Sequence, residues 1–239
     1  MLEDRVAVIY GAGAIGSAVA TAFAAAGAHV YVAARTASRL GAVANDAGDR
    51  IRTDVVDALD AVAIREHADR VAADAGRIDV CFNLISHGDV HGTALIDMDV
   101  EDFVRPVESI VRSNFLTTQA VARHMVRQRS GVILFFGGTG EPPREYRTGG
   151  TLVAFDAQET MRRQIAAELG PHGVRTITIV TQGIPASDDP AEPGLAAATM
   201  TGRAATREDV GNVAVFAASD LARSMTAATL NISGGAVID

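Results

Sequence analysis

Short apolar runs alternate with helix-length, alanine-rich segments along the whole chain, and this alternation limits the possible folds more than any other feature. Val6-Ala-Val-Ile-Tyr10 ends at glycine and reads as a buried strand. Residues 15–26 carry helix-forming alanines, and Gly27 stops them. The same reading predicts strands at 29–33, 51–54, 78–84, 132–136, 174–180 and 229–232, and helices at 38–47, 59–75, 103–128, 151–169 and 209–218. Strands separated by helices pair in parallel, because a parallel neighbour needs a crossover.

Right-handed crossovers then give an α/β fold, a Rossmann-like doubly wound parallel sheet of about seven strands with helices on both faces. No stretch reads as a linker, so residues 1–239 are expected to form one dinucleotide-binding domain. Two segments are irregular, about 137–150 and 182–205, the second carrying Pro185, Pro190 and Pro193. Both follow strands, which puts them over the carboxyl edge of the sheet, where ligands bind in such folds.

Composition removes several classes of function. A 48% hydrophobic content is ample for a core and excludes global disorder. The net charge of −8 makes a nucleic-acid backbone an unfavourable partner. One cysteine, Cys81, excludes an intramolecular disulfide. No run resembles a signal peptide, and the weakly polar stretch 18–34 lacks Leu and Ile, so a cytoplasmic protein without a membrane partner is expected. His87 and His91 lie four apart around Asp89 in a loop with no third ligand at a recognisable spacing, so no metal is expected. All of the basic side chains apart from histidine are arginine. The chain has no lysine, which excludes every mechanism that needs a lysine ammonium or Schiff base.

Gly11-Ala-Gly13-Ala-Ile15-Gly16 follows the first strand and opens a helix. In that setting the first glycine permits the tight turn, the second admits a pyrophosphate to the backbone, and the third lets helix and strand pack closely. The helix N-terminus beyond it supplies N–H groups to a phosphate. After the second strand stand Arg35 and Thr36, where an NAD-preferring site usually has an acidic residue. An arginine fork there pairs with a 2′-phosphate, which favours NADP(H) over NAD(H).

With these motifs the chain resembles the short-chain dehydrogenase/reductase family over nearly its whole length. Asp54-Val55 looks like that family's adenine-contacting pair, and Asn83 closes a stretch resembling its fourth strand. Gln182-Gly183-Ile184 stands where Pro-Gly-aliphatic is usual, and Phe115-Leu-Thr-Thr-Gln-Ala120 resembles its interface helix. Glu208-Asp-Val-Gly-Asn-Val213 and Leu230-Asn-Ile-Ser-Gly-Gly235 resemble its last helix and strand. The resemblance implies cofactor contacts at Gly11, Gly13, Ile15, Gly16, Arg35, Thr36, Asp54, Val55, Asn83, Gly183 and Ile184. It also implies a homodimer or homotetramer built through helices 103–128 and 151–169.

The family's proton relay uses Ser, Tyr and Lys, usually with Asn. Counting from Ala167-Glu168-Leu169 puts the tyrosine position at Thr151 and the lysine position at Phe155. The serine position falls at or near Gly138, beside Thr139, and the asparagine position near Ile110. That relay is therefore absent. His87, Tyr146, Thr139 and Thr151 are the candidates to replace it: a histidine or a tuned tyrosine moves a proton, whereas a threonine alone is no useful acid at neutral pH. Three functions follow. The first is an atypical oxidoreductase moving hydride between NADP(H) and a small carbonyl, imine or enone. The second is a redox-neutral cyclase, isomerase or dehydratase on the same scaffold, and the third a non-catalytic binding protein.

Overall fold

The computed structural model describes residues 1–45, 48–138 and 147–238. Seven parallel strands form one sheet in the order β3-β2-β1-β4-β5-β6-β7. They are β1 Val6–Tyr10, β2 His29–Ala34, β3 Ile51–Val55, β4 Val80–Asn83, β5 Gly131–Gly137, β6 Val174–Val180 and β7 Ala228–Asn231. The apolar runs are buried on both faces, as a sheet covered on both sides demands. The helices are α1 Ala14–Ala25, α2 Ala37–Asn45, α3 Ala61–Ala75, α4 Val100–Gln128, α5 Thr151–Leu169, α6 Pro193–Ala197 and α7 Arg207–Ala218. One face carries α1, α2 and α7, with Phe23, Ile9 and Phe82 in the core beneath. The other carries α3, α4 and α5 over Tyr10, Met125 and Phe135. Among the described residues no helix is long and apolar enough to cross a membrane.

Local chemistry explains where the helices depart from their expected limits. Helix α3 starts at Ala61 rather than 59, because the Asp60 carboxylate accepts the backbone N–H groups of Val62 and Ala63 and caps it. Helix α4 starts at Val100 rather than 103, with Glu101 and Asp102 complementing its positive end. The segment 182–205 is not wholly irregular, since Pro193 begins the five-residue α6.

The chain reverses direction across the sheet at β1, which lies between β2 and β4, and Tyr10 stands opposite both Ala33 and Asn83. Outside that carboxyl end a crevice opens. Buried Asp79 pins the opposite end, accepting the Val6 N–H at 2.9 Å and the Arg77 fork at 2.6 and 2.7 Å. Arg77 is half exposed and its pairing contributes little, so the buried Val6 N–H dominates the cost of losing Asp79. Asp79→Ala should therefore lower stability by about 1–3 kcal/mol, read as a shift in the guanidinium midpoint. An unchanged midpoint would show that the carboxylate does not anchor β1.

Candidate active site

The turn after β1 is built by close contact. Gly11 has φ +122°, and a Cβ there would stand 2.3 Å from the Leu84 carbonyl oxygen at the end of β4. A Cβ on Gly16 would stand 2.0 Å from the Gly11 carbonyl oxygen, so α1 sits directly on the turn. Gly13 differs: a Cβ there meets nothing within 4 Å. It is the N-cap of α1 and makes no side-chain cap, which leaves first-turn N–H groups facing an open space.

That space is a groove of two adjoining compartments. The outer one, of about 470 Å³, has Gly11 and Gly13 on one wall and Arg35, Thr36 and Arg39 at its far end. All three of those far-end side chains are exposed. Arg105 and Ser109 of α4 close the other side. Residues 56–59, just beyond the Asp54-Val55 pair that the resemblance assigns to the cofactor, line this compartment. Asp54 approaches Nε2 of the buried His67 at 3.4 Å and Arg70 at 4.0 Å, while Val55 is 62% exposed. The 3.4 Å approach is a Coulombic contact only, because His67 Nε2 has no aligned hydrogen-bond partner. Burial pushes the His67 imidazole down against the opposing pull of Asp54, and the ring instead meets the Tyr10 hydroxyl through Nδ1 at 3.2 Å.

The inner compartment, of about 330 Å³, is reached past Ile15 and Gly16 and lies over Asn83, Ile110 and Phe136. Asn83 lines it, but its amide ties β4 to α4: Nδ2 donates to Thr117 and Oδ1 accepts the Ile85 N–H. Deeper in, Gln158 donates to the Phe136 carbonyl and accepts from Asn114, whose Nδ2 also donates to the Ile110 carbonyl. Both carbonyls can only accept, which fixes the orientation of both amides. Cys81 is buried below, its thiol pushed up to about 12 by burial, and is no nucleophile.

The Phe155 ring takes the space above Gly138, where a Cβ would lie 3.2 Å from that ring. Phe155 also packs edge-to-face on His87 at 5.6 Å between centroids. His87 lines both compartments. Its Nδ1 lies 3.2 Å from the Ile85 carbonyl, which makes Nδ1 the protonated nitrogen and leaves Nε2 an acceptor in the neutral ring. Thr151 is buried, and its hydroxyl lies 3.3 Å from His91 Nε2. Asp89 stands 3.0 Å from the same nitrogen. Gly183 has φ +135° beneath Leu195 of α6, and Ile184 packs into the core on the α1 side. Thr139 and Tyr146 lie outside the described residues.

A family model described as Enoyl-(Acyl carrier protein) reductase matches residues 11–237. The D-threitol dehydrogenase of Mycolicibacterium smegmatis is 30% identical over 247 residues, covering 99% of this chain and 94% of that protein. The chain belongs to the short-chain dehydrogenase/reductase family. FabG, the 3-oxoacyl-acyl-carrier-protein reductase of Escherichia coli, is 26% identical over 246 residues, covering 98% of this chain and 97% of its own. A crystal structure of a short-chain type dehydrogenase/reductase from Mycobacterium marinum superposes with a TM-score of 0.87 at 27% identity, covering 100% and 97% of the two chains. Oxidoreduction with a nicotinamide cofactor is the chemistry of these homologues.

Sequence reasoning missed Arg105 and Ser109. The signal was present, since residues 105, 109 and 113 share one stripe of α4 at four-residue spacing. It also missed the partner of Thr151, for which the sequence carries no local signal.

The glycine geometry makes a paired prediction. Gly16→Ala drives a Cβ into backbone and should cost about 2 kcal/mol or more. Gly13→Ala should stay within about 1 kcal/mol of the parent. Equal losses in thermal or denaturant unfolding would contradict the close packing of α1 on the turn.

Proposed function

We propose that the protein is an NADP(H)-dependent oxidoreductase acting on a small organic carbonyl, imine or enone, with its own residues in place of the family's proton relay. The observation that carries this reading is the outer compartment, where open backbone at Gly13 and the helix N-terminus face a pair of arginines, Arg35 and Arg39. A phosphate at each end fits that donor set: N–H groups and a helix dipole for the pyrophosphate, guanidinium forks for a 2′-phosphate. When bound, the reduced nicotinamide would supply the hydride. The chain's part is to position and to move protons. Gly13, Ile15 and Gly16 form the passage to the inner compartment, while Phe155 excludes water above Gly138. Among the four residues proposed from sequence to carry the proton, His87 and Thr151 lie within the described structure, and His87 packs edge-to-face on Phe155.

Calorimetric titration tests the cofactor. NADPH should bind at least about tenfold more tightly than NADH, and Arg35→Ala should erase most of that difference. Gly13→Ala should weaken both ligands. Equal affinity of the unmodified protein for both would overturn the role of Arg35, and no binding of either would remove the oxidoreductase reading as a whole.

The same reading includes assembly as a homodimer or homotetramer through α4 and α5. Phe115 and Val153 on these helices are 50% and 48% exposed, and Val153, Ala157 and Met161 border a shallow groove on α5. A two-fold axis would let each such face cover its own copy. Light scattering should give two or four times 24.8 kDa at micromolar concentration, and a monomer mass would contradict it.

A further inference from the structure

We propose that His87 binds the cofactor directly, its Nε2 accepting a hydrogen bond from a hydroxyl of the ribose next to the nicotinamide; this rests on the NADP(H) reading above. The argument starts from which atoms of His87 are already committed. A carbonyl oxygen only accepts, so the 3.2 Å contact with the Ile85 carbonyl puts a proton on Nδ1. In the neutral ring Nε2 then carries a lone pair and no proton. Asp89 faces that nitrogen at 3.9 Å, but a carboxylate has no proton to give it. The lone pair is left for a ligand or for solvent. In this form the ring has no proton on that side to give a substrate carbonyl, so its part in reduction is to position.

The ring is held in that orientation from two sides. Its Nδ1–H ties it to its own loop two residues back, and Phe155 of α5 packs on it edge-to-face at 5.6 Å. The loop beneath is fixed in turn by Asn83, which accepts the Ile85 N–H and donates to Thr117 of α4. A side chain fixed in advance loses little freedom when a ligand arrives.

The position of His87 selects the ligand atom. Gly13, Leu84, Ile85, Ser86 and His87 line both compartments and so form the junction between them. Of these five, only Ser86 and His87 bring polar side chains to it. The other polar side chains of the inner compartment already have protein partners. Asn83 is engaged as above, Ser113 donates to the Ile110 carbonyl, and Asn114 and Gln158 bond each other. That leaves His87 Nε2 and the Ser86 hydroxyl to meet a ligand at the junction.

On the reading above, the backbone at Gly13 holds the pyrophosphate and Arg35 a 2′-phosphate, so the adenosine half fills the outer compartment and the nicotinamide lies in the inner one. The part of the dinucleotide at the junction is then the second ribose, with two neighbouring hydroxyls. Each hydroxyl carries a proton that Nε2 can accept, and the Ser86 hydroxyl can donate or accept beside it.

Binding, without turnover, tests this. In calorimetry at about pH 8, above the usual imidazole range, His87→Asn should bind NADPH about 2- to 13-fold more weakly than the parent, the loss of one neutral hydrogen bond. His87→Gln, whose longer side chain returns an amide oxygen toward the place of Nε2, should recover most of that loss. Adenosine 2′,5′-bisphosphate, which has both phosphates of the adenosine half but no second ribose, should bind all three proteins alike. With ¹⁵N-labelled histidine, NADPH should move the Nε2 resonance of His87 and leave Nδ1 nearly in place, and the bisphosphate should move neither. Unchanged NADPH affinity in His87→Asn, no recovery in His87→Gln, or a loss shared equally by the bisphosphate would overturn the ribose contact alone. An unmodified protein that binds neither ligand would instead overturn the cofactor reading on which the contact rests.

Discussion

Everything in the groove depends on how closely the turn after β1 approaches β4. Gly11 lies where a side chain would collide with the Leu84 carbonyl, and Gly16 lies where one would collide with Gly11. These two contacts bring α1 down onto the sheet at the point where the strand order reverses. They also bring the loop after Leu84 alongside the turn, so that Ser86 and His87 face both compartments. With larger residues the helix would ride higher, and the first-turn N–H groups of α1 would no longer line the groove. Close backbone packing here does what specific side chains do elsewhere in the site.

The second constraint is an aromatic ring beside the inner compartment: Phe155 fills the volume above Gly138 and leans on His87. The polar groups that survive are arranged around the ring: the paired amides of Asn114 and Gln158 below, and Thr151, His91 and Asp89 outside.

Much of this was legible in the sequence because it is local. Strand β6 and helix α5 fall at the residues expected, since apolar runs and a Gly-Pro stop are written in consecutive positions. The glycine turn was legible for the same reason. What was hidden depends on distance and direction. Thr151 and His91 are 60 residues apart, and contacts such as that of the Gly92 N–H with the Arg147 carbonyl bring their segments together. The approach of the Asp54 carboxylate to the buried His67 of α3 was likewise hidden, because it joins two elements that only the fold brings together. The packing of Phe155 against Gly138 is likewise visible only in space.

The account holds that hydride transfer persists in a chain without lysine. Its most direct test is isotopic: incubate the protein with each 4-deuterated epimer of NADPH and a panel of small carbonyls, imines and enones, then weigh the products by mass spectrometry. The account predicts that one epimer, and not the other, adds one mass unit to at least one product. Product formed without deuterium from either epimer would show the scaffold running redox-neutral chemistry. No product at all, from a protein that nonetheless binds NADPH, would contradict the claim that this groove is an active site.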